Sequence, residues 1–137
     1  LTHFAKCCKP VPGDDVVGFI TKGAGVTIHK RDCNNIMSMP EEQEARLVDV
    51  EWGGARGSVF PAEISIIAFD RSGLLRDISS VLANEKINLL NINSSTNRQE
   101  QMVYAKLNLE VSSVEQLILV IDKLAQVNSV QSVSRSE

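Results

Sequence analysis

The chain has no cysteine after Cys33 and only two histidines, His3 and His29. It has no apolar run approaching the length of a bilayer-spanning helix, so no membrane span is expected. A secretory leader is not expected either, because the first ten residues hold two lysines and two cysteines and no apolar stretch. Neither sign of charge dominates. Fourteen Lys and Arg against 17 Asp and Glu leave a net charge of −3, which argues against a general polyanion binder. Three cysteines, odd in number and two of them adjacent, make a poor disulfide framework, so reduced thiols and a cytoplasmic location are expected. Gly23-Ala24-Gly25 lacks the Lys-Ser/Thr that completes a phosphate loop and is read as a hairpin turn. The chain opens on Leu1 rather than Met and is expected to be a piece of something longer.

What is present is concentrated near the start. Cys7-Cys8 is followed by His29 and Cys33, in the strings His-Phe-Ala-Lys-Cys-Cys-Lys-Pro-Val-Pro-Gly-Asp-Asp and Thr-Ile-His-Lys-Arg-Asp-Cys. Thiolates with an imidazole suit a tetrahedral zinc site. His29 and Cys33 are four apart, one helical turn around a strand–helix junction. Adjacent cysteines can both ligate where the backbone is extended and a rigid turn follows, and Pro10-Val11-Pro12-Gly13 supplies one. The competing readings are that the cysteines are small buried apolar residues beside a surface His29, or that His3 replaces one of them. A nucleophilic cysteine activated by His3 or His29 is a further alternative, for which no oxyanion-binding loop is visible.

The 137 residues, 43% of them hydrophobic, suit one ordinary domain or two small ones. The composition breaks at Gly53-Gly54-Ala55-Arg56-Gly57-Ser58, so residues 1–52 are read as one module, 53–60 as a linker and 61–137 as a second domain. In the first module, 16–21 and 26–29 read as strands, a short helix is expected from an Asp32 N-cap to about Met39, Pro40-Glu41-Glu42 should break it, and 46–52 alternates as a strand. In the second, 61–69, 88–96 and 102–111 read as strands. Helices are expected over 74–86, with Leu74, Leu75, Ile78, Val81 and Leu82 on one face, and over 113–126, with Val114, Leu117, Ile118, Ile121 and Leu124 on one face. Val130 and Val133 suggest a weak last strand whose spacing of three does not suit a period of two. The order is βαββαβ, a ferredoxin-like antiparallel sheet with both helices on one face, in an α+β chain. Ser65, Ile67, Phe69, Met102 and Tyr104 should lie on the other face or its edge, where a homodimer partner or another protein would dock.

Two further sites follow from the pattern. The Asp70-Arg71-Ser72-Gly73 loop leads into a helix N-terminus, which favours an anion. Gly73 and Leu74, with Asn91 and Asn93 on the next strand, could receive an amino acid, or the loop is a plain capped turn. Lys6, Lys9, Lys22, Lys30 and Arg31 against Asp14, Asp15 and Asp32 leave residues 1–35 at +2 and the remainder at −5, so the first module could touch nucleic acid locally. Lys30 and Arg31 are expected on the surface beside the metal.

The strings His3–Asp14, Val17–Thr21, His29–Cys33, Asp70–Ile78 and Leu82–Asn88 resemble the C-terminal regulatory region of the RelA/SpoT-homologue family, the ribosome-associated GTP pyrophosphokinases of the stringent response. The resemblance implies a zinc-finger module followed by an ACT domain, with zinc on Cys7, Cys8, His29 and Cys33 and a regulatory role for Asp32. It implies no catalysis by this fragment, because pyrophosphate transfer from ATP to GTP belongs to a domain upstream. It also implies partners: the ribosome through rRNA, deacylated tRNA and, in some members, a branched-chain amino acid.

Overall fold

A computed structural model of the chain describes residues 2–23, 25–52 and 58–136. Ala24 of the expected hairpin turn and residues 53–57 of the expected linker lie outside them.

The first sheet contains β1 (Thr2–Phe4), β2 (Val16–Thr21), β3 (Gly25–Lys30) and β4 (Leu47–Asp49), in the spatial order β1-β3-β2-β4. β2 and β3 form the expected hairpin, β4 runs antiparallel to β2, and β1 lies parallel to β3. β1 has too few residues to show a period in sequence. Gly18 sits where strands converge: a Cβ there would stand 2.7 Å from Val26 Cγ1, 2.9 Å from Val50 Cγ1 and 3.0 Å from Val48 Cγ2. The expected helix ending near Met39 is shorter, α1 (Asn34–Met37), and begins at Cys33 rather than at an Asp32 cap. α1 ends before Pro40, as expected, and Pro40 also starts the next element. It is the N-cap of α2 (Glu41–Glu44), where a missing N–H costs nothing and the acidic residues face the positive helix end.

The second sheet is antiparallel, in the order β6-β7-β5-β8, from β5 (Phe60–Phe69), β6 (Asn88–Asn97), β7 (Met102–Val111) and β8 (Val130–Arg135). With α3 (Leu74–Asn84) and α4 (Val114–Ala125) the chain order is βαββαβ, as expected. β5 starts at Phe60, inside the span expected to be linker. Alternate residues Ala62, Ile64, Ile66 and Ala68 of β5 and Val103, Ala105, Leu107 and Leu109 of β7 face the helices and are buried. α3 buries Leu74, Ile78 and Leu82, and α4 buries Leu117, Val120 and Leu124. Leu75 and Ile118, expected on the buried stripes, are half exposed, because the core-facing arc of each helix is narrower than its apolar sequence. The spacing of Val130 and Val133 has a structural cause. The ladder shifts by one residue opposite Ile67 and Ala68, so Gln131 is extra and both valines pair with core-facing residues, Val130 with Ala68 and Val133 with Ile66.

The two sheets are joined by more than residues 53–60. Val11, from the first segment, is fully buried in the apolar cluster of the second sheet and its helices. Phe4, Trp52 and Phe60 meet with ring centroids 5.4–5.7 Å apart, Phe4 stacked on Trp52 and Phe60 edge-on to both. Among the described residues no helix is long and apolar enough to cross a membrane.

Candidate metal centre

The four residues singled out in sequence meet. The ligand atoms of Cys7, Cys8, His29 and Cys33 all lie within 4.8 Å of one another. Cys7 Sγ is 3.5 Å from Cys33 Sγ, 3.5 Å from His29 Nδ1 and 4.0 Å from Cys8 Sγ, and Cys8 Sγ is 3.9 Å from His29 Nδ1. An ion about 2.3 Å from each sulfur and 2.0–2.1 Å from the nitrogen needs tetrahedral edges of roughly 3.5–3.8 Å. The donor set therefore suits a tetrahedral metal ion, with two of these separations at 3.5 Å and two slightly wider than the ideal edges. His3 pairs with Thr27 across β1 and β3, is exposed, and is outside this group.

Local structure explains the meeting. After β1 the chain makes one tight turn, with the Lys9 N–H bonded to the Ala5 carbonyl at 3.1 Å, and this turns Cys7 and Cys8 towards the end of β3. The Ala5 N–H is tied to the Ile28 carbonyl at 2.8 Å. His29 is the penultimate residue of β3, and the Cys33 N–H bonds the Lys30 carbonyl in the turn that leads to α1. Cys8 Sγ accepts the Lys30 N–H at 3.3 Å, the kind of contact that orients a ligating thiolate.

The electrostatics favour a cation. Burial, with Cys33 and the Cys7 charge beside it, pushes the Cys8 thiol up to about 12, although the Lys30 N–H pulls the other way. Cys7 is opposed by burial, yet hydrogen bonds from Asn35, Cys33 and Cys8 outweigh it and hold its thiol below the ordinary value. Burial also lowers His29, keeping its imidazole in the neutral, ligating form at neutral pH. A divalent ion would supply the counter-charge that the crowded Cys7 and Cys8 sulfurs need to ionise together.

The expected basic surface is rearranged. Lys6 and Lys22 are exposed. Lys30, expected on the surface, is 8% exposed and paired with Asp32 at 3.5 Å, because β3 carries it inward beside Cys8. Arg31 is exposed, but its guanidinium is held by Asp15 at 2.9 Å and Asp49 at 3.2 Å. Lys9 turns to the second domain, donating to Asn108 Oδ1 at 3.0 Å.

The residues expected to hold an amino acid are split by the sheet. Gly73, with φ +81°, and Leu74 border a groove of about 400 Å³ with Arg71, Ser94 and Thr96. Asn93 pairs with Lys106 and Asn91 with Asn108, which puts both on the opposite, open face, because the ladder places Ser94 and Thr96 on the helix side. Arg71 closes the helix entrance, donating to Asp77 at 2.6 Å and to the Asn128 carbonyl at 3.0 Å. The open face holds Ser65, Ile67, Phe69, Met102 and Tyr104, as expected, and a cavity of about 440 Å³ there is bordered by Ser65, Ile67 and Tyr104 with Asn93 and Lys106. Sequence reasoning missed Val11, Asp14, Asn108 and Arg135, which join the domains. Val11 lies between two prolines and shows no period that could have marked it.

Residues 1–53 match the family model described as the RelA/SpoT RIS domain, and residues 56–135 match the ACT domain. The chain is 39% identical over 128 residues to a GTP pyrophosphokinase of Escherichia coli K12, covering 93% of this chain and 17% of that protein. It is 37% identical over 135 residues to the bifunctional (p)ppGpp synthase/hydrolase RelA of Mycobacterium tuberculosis, covering 98% of this chain and 17% of that one. The crystal structure of the ACT domain from a GTP pyrophosphokinase of Chlorobium tepidum matches with a TM-score of 0.51 and 26% identity, over 58% of this chain and all of that one. The chain thus spans about a sixth of the length of the curated relatives it matches.

Proposed function

Because the chain belongs to the RelA/SpoT-homologue family, with a RIS domain joined to an ACT domain, we propose that it is the regulatory region of a (p)ppGpp synthetase. In this reading it holds a structural zinc ion on Cys7, Cys8, His29 and Cys33. It works in the cytoplasm, docks on the ribosome through rRNA beside deacylated tRNA, and couples amino-acid starvation to synthesis in the rest of the protein. The observation that carries it is the four-donor centre inside the RIS match, with edges that suit zinc and with one exposed and two buried thiols. The centre has no room for a substrate once four ligands close it, so it is structural.

Ribosome co-sedimentation tests the docking. Lys6 and Lys22 are exposed, whereas Lys30 and Arg31 are already engaged by carboxylates, so the first pair is the better candidate for phosphate contact. Each phosphate contact contributes a salt slope of up to about 0.9. Lys6→Ala with Lys22→Ala should weaken binding and flatten the slope. Unchanged affinity and slope would show that these charges are only solvated. The purified chain should also make no (p)ppGpp from ATP and GTP.

A second reading has one observation in its favour. The cavity on the open sheet face is bordered by Ile67, Tyr104 and Asn93, a mix that suits an amino acid or a second ACT domain. In that reading the module dimerises and binds a branched-chain amino acid without ribosome contact. Calorimetry with valine and isoleucine distinguishes it, since the ribosome-docking reading needs no heat of binding.

A further inference from the structure

The string Cys7-Cys8-Lys9-Pro10-Val11-Pro12-Gly13-Asp14 has two ends with different partners. The first two residues offer thiols to the metal centre. The rest is built into the second domain. Val11 is fully buried among residues of β5, β7, α3 and α4. The Pro12 carbonyl accepts the Val114 N–H at 2.7 Å, satisfying the first of the orphan donors of α4. Arg135, the last residue of β8, donates to both Asp14 carboxylate oxygens at 2.9 Å and to the Lys9 carbonyl at 2.9 Å. The Asp14 side chain is 7% exposed and that of Arg135 17%, so the pair is largely shielded from water. Gly13, at φ +103°, lets the backbone pass close to α4, where a Cβ would lie 3.1 Å from Val114 Cγ1.

Lys9 is the joint between the ends. It follows Cys8 directly, holds φ +45°, unusual for a residue with a side chain, and is fixed on both sides: its N–H by Ala5, its carbonyl by Arg135, its ammonium by Asn108. A conformation of this kind persists only while its surroundings enforce it. The metal turn and the seat on α4 and β8 impose it jointly.

We propose that residues 9–14 are a coupling strap: metal capture by Cys7 and Cys8 and seating of the strap on α4 and β8 stabilise each other, so the ACT domain responds to occupancy of the metal centre. This rests on the reading that the centre binds zinc. Coupling is reciprocal, so a lesion at the seat itself, at Asp14 or Arg135, weakens the metal, and removing the metal loosens the strap's seat.

The test uses the whole chain, with zinc chloride as the probe. Zinc affinity is measured by competition with a chromophoric chelator, and amide exchange is followed at Val114, beneath the strap, and at Leu107, in mid-sheet. Stripping zinc should speed exchange at Val114 by about tenfold or more and leave Leu107 nearly unchanged, and Arg135→Met should weaken zinc about tenfold, within the usual span of coupling between sites. Asp14→Asn should act in the same direction and less strongly, and it decides the matter if Arg135→Met does not fold. Zinc bound with unchanged affinity in the variants, together with Val114 exchange indifferent to zinc, overturns the strap and leaves the metal centre standing. A chain that binds no zinc overturns both.

Discussion

Residues 2–52 and residues 60–135 each carry a four-stranded sheet, but they bury different things. The second buries Ile64, Ile66, Leu107, Leu109, Leu117 and Leu124 almost completely, in one cluster between sheet and helices. The cluster belonging to the first alone consists of Ala5, Cys8 and Cys33, with Ile36 against it. Two of those three are candidate ligands, so the apolar cluster and the metal centre are the same place. A sheet built from strands of three to six residues, with helices of one turn, leaves little apolar area to remove from water. With an ion in the centre, as proposed above, one half is stabilised by area and the other by a point. The first should fail to chelators and thiol reagents, the second to cavities.

The largest effect should come from the point. Structural zinc in small domains contributes roughly 10–16 kcal/mol of apparent binding energy. Chelation, or Cys33→Ala, should therefore unfold most of residues 2–52, read as a change in Trp52 fluorescence, while the far-ultraviolet signal of the second sheet and helices remains. Loss of both halves together would erase the contrast.

A cavity in the second half comes next. Leu107→Ala, at a fully buried position, should cost about 2–5 kcal/mol in denaturant unfolding of the second domain. Zinc affinity should change little. Gly18→Ala probes the first half without touching a ligand: its Cβ would press on Val26 of β3, Val48 of β4 and Val50 just after β4, and overpacking of this kind costs about 1–3 kcal/mol.

Acid tests the junction. Burial pushes the Asp14 carboxyl up, but hydrogen bonds from Arg135 and from the Val11 N–H outweigh it and hold the folded value below the usual carboxylate range. The unfolded chain therefore takes up this proton first as pH falls. The stabilisation is complete above the unfolded value of about 4 and drains away as pH drops through the lower folded value. Asp14→Asn should remove that part of the acid sensitivity and cost about 1–3 kcal/mol at neutral pH. The smallest stability change belongs to Lys6→Ala and Lys22→Ala, both exposed, at within about 0.5 kcal/mol. If the chain docks on the ribosome as proposed, their effect should be confined to the salt dependence of that binding.

The same contrast separates what was readable in sequence from what was not. The second half announced itself because long elements repeat a period. Strict alternation marks β7 over the ten residues Met102–Val111, and the 3.6 period marks both helices. Even its oddity, valines three apart in β8, was visible, and only the bulge at Gln131 was needed to explain it. The meeting of Cys7, Cys8, His29 and Cys33 was readable because soft donors are scarce and local in this chain. Short elements were not. Three-residue β1 and four-residue α2 carry no period, and Pro40 reads equally as a stop or a start. Burial of Lys30 and the split of Asn91 and Asn93 from Gly73 depend on strand register, which one sequence does not fix. The strap was invisible for a related reason: Asp14 and Arg135 stand at opposite ends of the chain, and nothing in either neighbourhood names the other.

The central claim is that the first half is held by one ion on three thiols and an imidazole. Native mass spectrometry of the chain purified without chelator tests it most directly. The account predicts a single population carrying one zinc ion per chain, with the increment lost in Cys33→Ser. A folded chain with no bound metal would contradict it.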